Sequence, residues 1–260
     1  MCKHLICEVI NKDLLVPEVY KFTLKALEIA QTAKPGQFLE IKCSDEAEVL
    51  LRRPISISKV SKEKGEVEFI FQVKGKGTQA LAKKESGDSL DVLGPLGKGF
   101  TLADKFNKVA IIGGGIGVFP LYYLAHQLEN VEVHTYLGFR NKKMIALEDE
   151  FNKVSKELNI ATDDGSYEHN GLVTEVFEKD ICNIKFDIVY ACGPLPMLRK
   201  VKDIAIANNI ACEISMEERM GCGVGVCLGC ACKVKDGEDF KFGHVCKDGP
   251  VFRAEEILLD

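Results

Sequence analysis

The sequence contains no tryptophan, no long apolar run and no excess of positive charge. No stretch approaches the roughly 20 apolar residues of a membrane-spanning helix, so we expect no membrane span. The N-terminal sequence MCKHLICEVINKDLL lacks an apolar segment followed by small residues, so we expect no signal peptide. The net charge of −5 excludes the strongly positive field of most nucleic-acid-binding proteins. With 46% hydrophobic and 28% charged residues, the composition is that of an ordinary globular protein.

Cysteine, in contrast, is abundant. The chain has 11 cysteines, and five of them fall between Cys222 and Cys246. An odd and clustered set is not the pattern of a disulfide framework, and a chain of 260 residues can bury a sufficient core without disulfides. We therefore expect metal-bound cysteines and a cytoplasmic location.

Residues 1–102 have the pattern of a small antiparallel β-barrel. Short runs rich in β-branched and aromatic residues are separated by turn sequences such as KPG, KEKG and ESGD. The predicted strands are EVYKFTLKA, QFLEIKC, RPISIS and EVEFIFQV. Many short strands at close spacing favour a barrel, and this segment is the first of three in a multi-lobed fold.

The other two segments differ from the barrel and from each other. In residues 103–212, predicted strands alternate with predicted helices, which indicates an α/β lobe with a parallel sheet covered on both faces. The strands are KVAII, VEVHTYLGF and FDIVYACG. One helix follows GGGIG, and the other two are ALEDEFNKVSKEL and PLPMLRKVKDIAIANN. Residues 213–260 are rich in cysteine and glycine and lose this periodicity. So little apolar material predicts a small lobe held together by a metal centre.

The cysteine spacing in the last lobe is specific. Cys222, Cys227 and Cys230 form C-x4-C-x2-C, and Cys246 follows later, which is the plant-type pattern for a [2Fe–2S] cluster. Three thiolates on one loop must converge on two iron atoms, so the backbone must curl tightly, and the loop amides can then point at the sulfurs. Four glycines permit this curl: Gly221, Gly223, Gly225 and Gly229.

A structural zinc site is the alternative for these cysteines. Zinc ribbons usually carry two C-x2-C knuckles, and only one is clear here. Cys232 offers a further thiol, but the ferredoxin spacing is complete without it. His244 is interpreted as a surface or hydrogen-bonding residue and not as a ligand.

Two motifs in the barrel suit a phosphate-containing cofactor with a flat ring. Arg53-Pro54-Ile55-Ser56 places a phosphate-pairing guanidinium and a ring-edge hydroxyl at a strand start. Gly75-Lys76-Gly77-Thr78 precedes a short helix, for which Thr78 is the predicted N-cap. Taken singly, each motif is better explained by an ordinary structural feature: a strand-edge proline with a solvated arginine for the first, and a plain turn and helix cap for the second.

Two glycine-containing loops follow predicted parallel strands in the α/β lobe. Gly113–Gly117 reads as G-x-G-x-x-P through Gly115, Gly117 and Pro120, and Cys192-Gly193-Pro194 ends another strand. Open α/β sheets bind ligands at the carboxyl ends of their strands, so both loops are candidates for contact with a dinucleotide. Tight strand-to-helix turns are the alternative for each.

In this order, R-P-x-S, G-x-G-x-x-P and C-G-P resemble the ferredoxin–NAD(P) reductase superfamily over nearly the whole chain. Three longer segments are similar to the electron-transfer subunits of NAD-dependent dihydroorotate dehydrogenase B complexes. They are EISMEERMGCGVGVCLGCACKV, HVCKDGPVF and TDDGSYEHNGLVTE. The resemblance implies an FAD-binding barrel, a pyridine-nucleotide lobe and a [2Fe–2S] lobe.

The resemblance also implies a set of site residues and no catalytic residue in this chain. Cofactor-binding residues would be Arg53, Pro54, Ile55, Ser56, Ile70, Phe71, Gln72, Gly77 and Thr78 for FAD, with Gly115, Gly117, Cys192, Gly193 and Pro194 for NAD. The cluster ligands would be Cys222, Cys227, Cys230 and Cys246. Ile55 departs from the pattern, because many superfamily members carry an aromatic residue there that stacks on the flavin.

The function implied by the resemblance is electron transfer in pyrimidine biosynthesis. The chain would pass electrons from the FMN of a dihydroorotate dehydrogenase catalytic subunit through the cluster and FAD to NAD+, within a heterotetramer of two copies of each subunit. The alternatives are the small subunit of another ferredoxin:NAD(P) oxidoreductase or sulfide-dehydrogenase-like complex, and a non-enzymatic zinc protein. Three cations could either contact the 2′-phosphate of NADP or form a run of solvent-exposed charges: Arg140, Lys142 and Lys143. The prediction of NAD instead of NADP therefore follows from the resemblance alone.

Overall fold

A computed structural model describes residues 2–44, 46–102 and 105–259 of the chain. These residues form sixteen β-strands and six α-helices. The strands make a closed six-stranded barrel, a seven-stranded sheet and a three-stranded sheet. The predicted barrel and the predicted parallel sheet are both confirmed.

The barrel contains every strand predicted for the first segment and two long strands that were not predicted. Its elements are β1 (Lys3–Val16), β2 (Val19–Lys25), α1 (Leu27–Thr32), β3 (Phe38–Lys42), β4 (Arg53–Ser61), β5 (Glu66–Gln72), α2 (Lys76–Ala82) and β6 (Ser89–Leu96). All neighbours pair antiparallel in the closed order β1-β2-β5-β4-β3-β6. Phe22, Phe69 and Phe71 pack their rings together inside, which gives the barrel a solid aromatic core.

The second lobe is a parallel sheet with helices on both faces. Its elements are β7 (Lys108–Gly114), α3 (Val118–Gln127), β8 (Glu132–Phe139), α4 (Glu148–Val154), β9 (Glu157–Thr162), β10 (His169–Asn170), α5 (Val173–Asp180), β11 (Ile188–Cys192), α6 (Leu195–Ala207) and β12 (Ala211–Ser215). These strands lie in the order β10-β9-β8-β7-β11-β12. From β7 the chain adds β8, β9 and β10 on one side of the sheet and then β11 and β12 on the other side. The loops after β7 and β11 therefore lie next to each other at the topological switch point of the sheet.

One helix prediction in this lobe was too long. The segment ALEDEFNKVSKEL is helical only from Glu148 to Val154, since Ser155 is extended and Glu157 begins β9. Glu157 and Leu158 pair with β8 instead. Pairing in the sheet therefore overrides the helical spacing of the sequence at this point.

The last segment is more ordered than its sequence indicates. It forms β13 (Ala231–Asp236), β14 (Asp239–His244), β15 (Val251–Arg253) and β16 (Ile257–Leu258). β14, β13 and β16 make the small third sheet, whereas β15 pairs antiparallel with β12 and extends the sheet of the second lobe. The chain thus leaves the second lobe, builds the cysteine loop, and returns to the same sheet.

The division into 1–102, 103–212 and 213–260 stays a prediction. The boundary at 212/213 lies within β12, and the boundary at 102/103 borders residues 103 and 104, which lie outside the described residues. Within the described ranges, none of the helices has the length and apolar character to cross a membrane.

Candidate functional site

A cavity of about 190 Å³ lies where the barrel meets the parallel-sheet lobe. β4, β5 and the start of α2 provide its barrel side, and the loop after β7 with the first turn of α3 provides the other. Eight predicted flavin residues line it: Arg53, Pro54, Ile55, Ser56, Ile70, Phe71, Gln72 and Thr78. The sequence motifs RPIS, IFQ and GT, which are distant along the chain, therefore converge on one cavity.

Gly77, the ninth predicted residue, lies under the side chain of Arg53. A Cβ atom at Gly77 would be 2.6 Å from Nε of Arg53, so only glycine leaves the guanidinium its place. Arg53 also donates a 2.6 Å hydrogen bond to the carbonyl of Leu51. This packing holds a cation at one end of the cavity.

Thr78 is not the N-cap of α2, as the sequence had indicated. The helix begins one turn earlier at Lys76, with Gly75 as the N-cap residue. The hydroxyl oxygen of Thr78 instead accepts from the N–H groups of Lys74 and Gly75, at 2.9 and 3.1 Å. Thr78 is the third residue of α2, and its side chain thus holds the preceding turn against the start of the helix.

The residues around this cavity fit a flavin dinucleotide. Ile55, Ile70 and Phe71 are buried and offer apolar walls for a flat ring, while Ser56 and Gln72 offer hydrogen-bonding groups. Arg53 supplies the positive charge that a pyrophosphate needs. Ile55 provides an aliphatic contact where an aromatic would stack.

Two adjoining cavities of about 630 and 670 Å³ flank the loop after β7. Both are bordered by Gly115, Arg140 and Pro194, and the first also by Gly117 and Gly193. These cavities lie at the carboxyl ends of β7, β8 and β11, where a parallel sheet binds nucleotides. Together they form a groove along this edge of the sheet, called the nucleotide groove below.

The two predicted nucleotide loops are in direct contact. A side chain at Gly117 would overlap the carbonyl of Cys192, and one at Gly193 would lie 3.0 Å from the backbone N of Gly114. Glycine is required here because two backbones approach closely. Cys192 itself is buried; it borders a small cavity of about 170 Å³ that shares Pro54 and Ser56 with the flavin cavity, and it does not line the groove.

Sequence reasoning missed Glu217, which borders both the flavin cavity and the nucleotide groove. Desolvation raises the pKa of this carboxyl, and the charge of Lys74, which borders the same two cavities, opposes the rise. Glu217 comes two residues after the end of β12. Its place beyond the carboxyl end of a parallel strand is the signal that could have identified it.

The cysteine loop forms as the spacing predicts, with its amides pointing at sulfur. The N–H groups of Val224, Val226 and Cys227 lie 3.3–3.5 Å from Sγ of Cys222. Burial raises the pKa of the Cys222 thiol, but these N–H donors outweigh it and bring the pKa down to about 6. The loop therefore favours a thiolate at Cys222, the form that binds iron.

The other thiols complete two pairs. Sγ of Cys230 and Sγ of Cys246 are 3.2 Å apart and both side chains are buried, whereas Cys227 is exposed on the loop near Cys222. Among the residues that the structure describes, no three His, Cys, Asp or Glu side chains form a site for a single metal ion. Two pairs of thiols, one for each iron, are what a [2Fe–2S] cluster uses.

The loop glycines act in two ways. Gly223 and Gly225 have φ of +69° and +80°, a backbone conformation that other residues rarely adopt. Gly221 and Gly229 lie against the thiol of Cys227, where Cβ atoms would be 3.2 and 3.6 Å from its sulfur. The loop is thus shaped to leave room around the sulfur atoms.

Cys232 and His244 point away from this group. Cys232 is buried in β13, and its thiol donates a 3.6 Å hydrogen bond to the carbonyl of Gly243 in β14. His244 faces Asp248, with 3.6 Å between Nδ1 and the carboxylate. Both placements agree with the four-cysteine ligand set, which remains a prediction.

Glu40 is an unexpected polar residue beside the cysteine loop. It belongs to β3, is completely buried, and pairs with Pro54 on the adjacent strand β4. Burial raises the pKa of Glu40 to about 7, although the charge of Arg52 lowers it. The same carboxyl lies against Gly223, so it connects the barrel with the cysteine loop.

Three family models match the chain in the order of its lobes. They are the oxidoreductase FAD-binding domain over residues 6–100, the oxidoreductase NAD-binding domain over 111–203, and the iron–sulfur cluster binding domain of dihydroorotate dehydrogenase B over 217–258. The predictions of FAD, NAD and an iron–sulfur cluster as cofactors are therefore confirmed.

Curated relatives match over the whole chain. One, from Geobacillus thermodenitrificans, is 44% identical over 255 residues and covers 96% of this chain and 97% of its own. Another, from Desulforamulus reducens, is 39% identical over 262 residues and covers both chains completely. Each is named dihydroorotate dehydrogenase B (NAD(+)), electron transfer subunit. The chain belongs to this family of electron transfer subunits.

A solved structure has the same fold as this electron transfer subunit over nearly the whole chain. It comes from a study of the NADH-dependent reduced ferredoxin-NADP oxidoreductase and of flavin-based electron bifurcation. It matches with a TM-score of 0.87 and 31% identity, over 98% of this chain and 90% of its own. The cluster lobe, and not only the barrel and sheet, is therefore part of the shared architecture.

Serine substitutions will test the cluster ligands. Replacing Cys222, Cys227, Cys230 or Cys246 should remove the EPR signal of the reduced cluster or change it, because each substitution removes a thiolate. Cys232→Ser is the matched control, since Cys232 is two residues from Cys230 but bonds to Gly243. A cluster that survives Cys230→Ser and is lost in Cys232→Ser would contradict the assignment.

Proposed function

We propose that this chain passes electrons from the FMN of a dihydroorotate dehydrogenase catalytic subunit, through a [2Fe–2S] cluster and FAD, to NAD+. The observation that carries the proposal is the convergence of the flavin cavity, the nucleotide groove and the cysteine loop around one junction of the lobes. A bound flavin supplies the conversion between the two-electron chemistry of nicotinamide and the one-electron chemistry of the cluster.

The chain's own residues bind and position the carriers. Arg53 and Thr78 hold the phosphate end of FAD, while Ile55, Ile70 and Phe71 exclude water from the ring. Glu217 lies between the flavin cavity and the groove, where it borders the nicotinamide end of the nucleotide. No residue of this chain is assigned to the oxidation of dihydroorotate, which is the task of the partner.

The exposed side of the cysteine loop suits a protein partner. Val224, Val226 and Leu228 surround the exposed Cys227, and the side chain of Val226 is 77% exposed. Apolar side chains grouped beside a ligand position are typical of a protein contact surface. Docking of the partner on this exposed side of the cysteine loop would bring its FMN close to the cluster. The complex would be a heterotetramer with two copies of each subunit.

The nucleotide groove favours NAD over NADP. Arg140 borders both of its cavities, but Asp163 and Glu175 border the second cavity beside it. The ammonium group of Lys142 lies 5.0 Å from the centre of the Tyr167 ring, so this lysine is occupied elsewhere. A 2′-phosphate in the second cavity would therefore meet carboxylates as well as a guanidinium.

A cytoplasmic location belongs to the same proposal. None of the 11 cysteines, all of which lie within the described residues, forms a disulfide. Free thiols and a thiolate-bound cluster both persist in a reducing compartment. The substrates of the proposed reaction, dihydroorotate and NAD+, are small water-soluble molecules.

A second candidate function is the small subunit of a ferredoxin:NAD(P) oxidoreductase. The solved structure with 31% identity and a TM-score of 0.87 favours it, because that similarity includes the cluster lobe. The two functions differ in the partner. Purification of the native complex distinguishes them, since only the first predicts a partner that contains FMN and oxidises dihydroorotate.

Cofactor analysis tests the proposal most directly. Protein purified anaerobically should be brown-yellow, release FAD on denaturation, and contain iron and acid-labile sulfide at about two each per chain, as a [2Fe–2S] cluster requires. Zinc at one ion per chain with no iron would overturn the proposal, because zinc cannot carry electrons.

A further inference from the structure

The flavin cavity is small for the cofactor assigned to it. It encloses about 190 Å³, whereas sites for small molecules usually enclose about 300–1,000 Å³. FAD is a dinucleotide, so its flavin ring would fill this cavity and its adenosine end needs a further site. The nucleotide groove adjoins the flavin cavity through Gln72, Lys74 and Glu217, but neither Arg53 nor Thr78 lines the groove. A site for the adenosine end is therefore expected beyond Arg53 and Thr78.

A cavity of about 890 Å³, called the barrel cavity below, lies on the barrel beside α2. The end of β3 and the residues after it, as far as Val49, form one wall, and one side of α2 forms another. β1 and the start of β6 contribute further walls through Ile6 and Ser89. Among the described residues, none lines both the barrel cavity and the nucleotide groove. A ligand in the barrel cavity would therefore not compete with NAD for space.

The start of α2 separates the barrel cavity from the flavin cavity. Thr78 lines the flavin cavity, whereas Gln79 lines the barrel cavity. The guanidinium of Arg53 lies against Gly77, the residue before Thr78. The charge of Arg53 also reaches Cys43, a residue of the barrel cavity, because it opposes the rise that burial causes in the pKa of that thiol. A phosphate paired with Arg53 would thus have one cavity on each side.

The side chains of the barrel cavity suit an adenosine group. Ile6 is 68% exposed on β1, and together with Val49 it offers apolar surface for a purine ring. The amide of Gln79 can both donate to and accept from the polar edge of that ring. Within the described ranges, Lys83 and Lys84 have no ion-pair partner, so they give the cavity positive charge that favours a phosphate-containing ligand.

The acidic residues of the barrel cavity do not cancel this charge. Asp91 is paired with Arg52 at 2.8 Å, and Glu48 is paired with Lys76. Glu46 also lines the cavity, and a carboxylate is a suitable acceptor for the hydroxyl groups of a ribose. The cavity therefore offers groups for each part of an adenosine phosphate: the ring, the sugar and the charge.

On the proposed function as its basis, we propose that the barrel cavity binds the adenosine end of FAD, with the pyrophosphate at Arg53 and Gly77 between the two cavities. The nucleotide groove would then stay free for NAD. FMN ends at a single phosphate and would lack every contact in the barrel cavity. The site would therefore make the chain select FAD over FMN.

The test compares the affinities of the flavin-free chain for FAD and for FMN, each followed by flavin fluorescence. The unsubstituted chain should bind FAD more tightly than FMN. The double substitution Ile6→Ser and Gln79→Ala should weaken FAD binding about tenfold, because an apolar contact and a hydrogen bond are lost, and should leave FMN binding unchanged. Both side chains are exposed, so the barrel should keep its fold. Ile10→Ser is the matched control, since Ile10 is exposed on the same strand but does not line the barrel cavity.

Photolabelling of the unsubstituted chain provides a second measurement that needs no variant. FAD with an azido group on its adenine, bound and then irradiated, should attach to peptides that contain Val49 or residues 76–84, as mapped by mass spectrometry. Attachment at residues 114–117 or 138–141 would place the adenine in the nucleotide groove and overturn the inference. Equal affinities of the unsubstituted chain for FAD and FMN would overturn it as well. A chain that binds neither flavin would instead overturn the proposed function.

Discussion

A complex that contains the Cys227→Ser chain should lose NAD+ reduction by dihydroorotate, to background, while the chain still oxidises NADH with a flavin-reactive dye. The reason is the proposed order of the carriers: the dye takes electrons at FAD, whereas the FMN of the proposed partner would lie beyond the cluster. Cys227 is the exposed member of the predicted ligand set and does not line the nucleotide groove, so its substitution should leave the nucleotide site intact. Steady-state assays of both reactions on one preparation measure the effect.

The comparison needs a folded variant that keeps its flavin. Circular dichroism and FAD content of the Cys227→Ser chain should match the parent, and Cys232→Ser should retain both activities. Full dihydroorotate-to-NAD+ turnover by a folded, cluster-free complex would show that the cluster is not on the electron path. Dihydroorotate oxidation by the isolated chain would show that no partner is needed.

Arg53→Ala should weaken FAD binding by about ten- to a hundredfold. Hydrogen bonds to charged groups contribute roughly 1.5–3 kcal/mol, and the variant removes the guanidinium that faces the flavin cavity. The prediction is checked by adding FAD to flavin-free protein and following flavin fluorescence. Dilution of the purified variant should also release flavin sooner than dilution of the parent.

Arg52→Ala is the matched control for this prediction. Arg52 is adjacent in sequence, but its guanidinium pairs with Asp91 and does not line the cavity. Its loss should lower the melting temperature of the barrel with a much smaller effect on FAD affinity. Equal retention of FAD by Arg53→Ala and the parent would mean that Arg53 only supports the turn at Leu51 and Gly77.

Much of the fold follows from local patterns in the sequence. The strands EVEFIFQV and FDIVYACG and the helix after Pro194 are present within a few residues of their predicted limits. The strands that were missed or misplaced have one cause, which is pairing within the sheets. β1 is exposed or half-buried over most of its length and β9 begins inside a helical pattern, so only their neighbours in the sheets identify them as strands.

The site was predictable where its chemistry depends on spacing. Cys222, Cys227 and Cys230 lie on one loop, and their spacing alone indicates a cluster. Glu40 carries no such signal, because it lies within an ordinary barrel strand, and Glu217 is marked only by its place after the end of β12. Their importance arises only from the packing of lobes that are far apart in sequence.

The pairing of β15 with β12 has a consequence for motion. The cluster lobe is attached to the parallel sheet at both of its ends, and the N–H of Lys98 also donates to the carbonyl of Gly249, which links it to the barrel. Such a lobe cannot swing like a carrier domain on a flexible tether, so the spacing between flavin and cluster is fixed by the fold. A chain cut after Ser215 would, moreover, expose β12 as a bare edge strand and invite self-association.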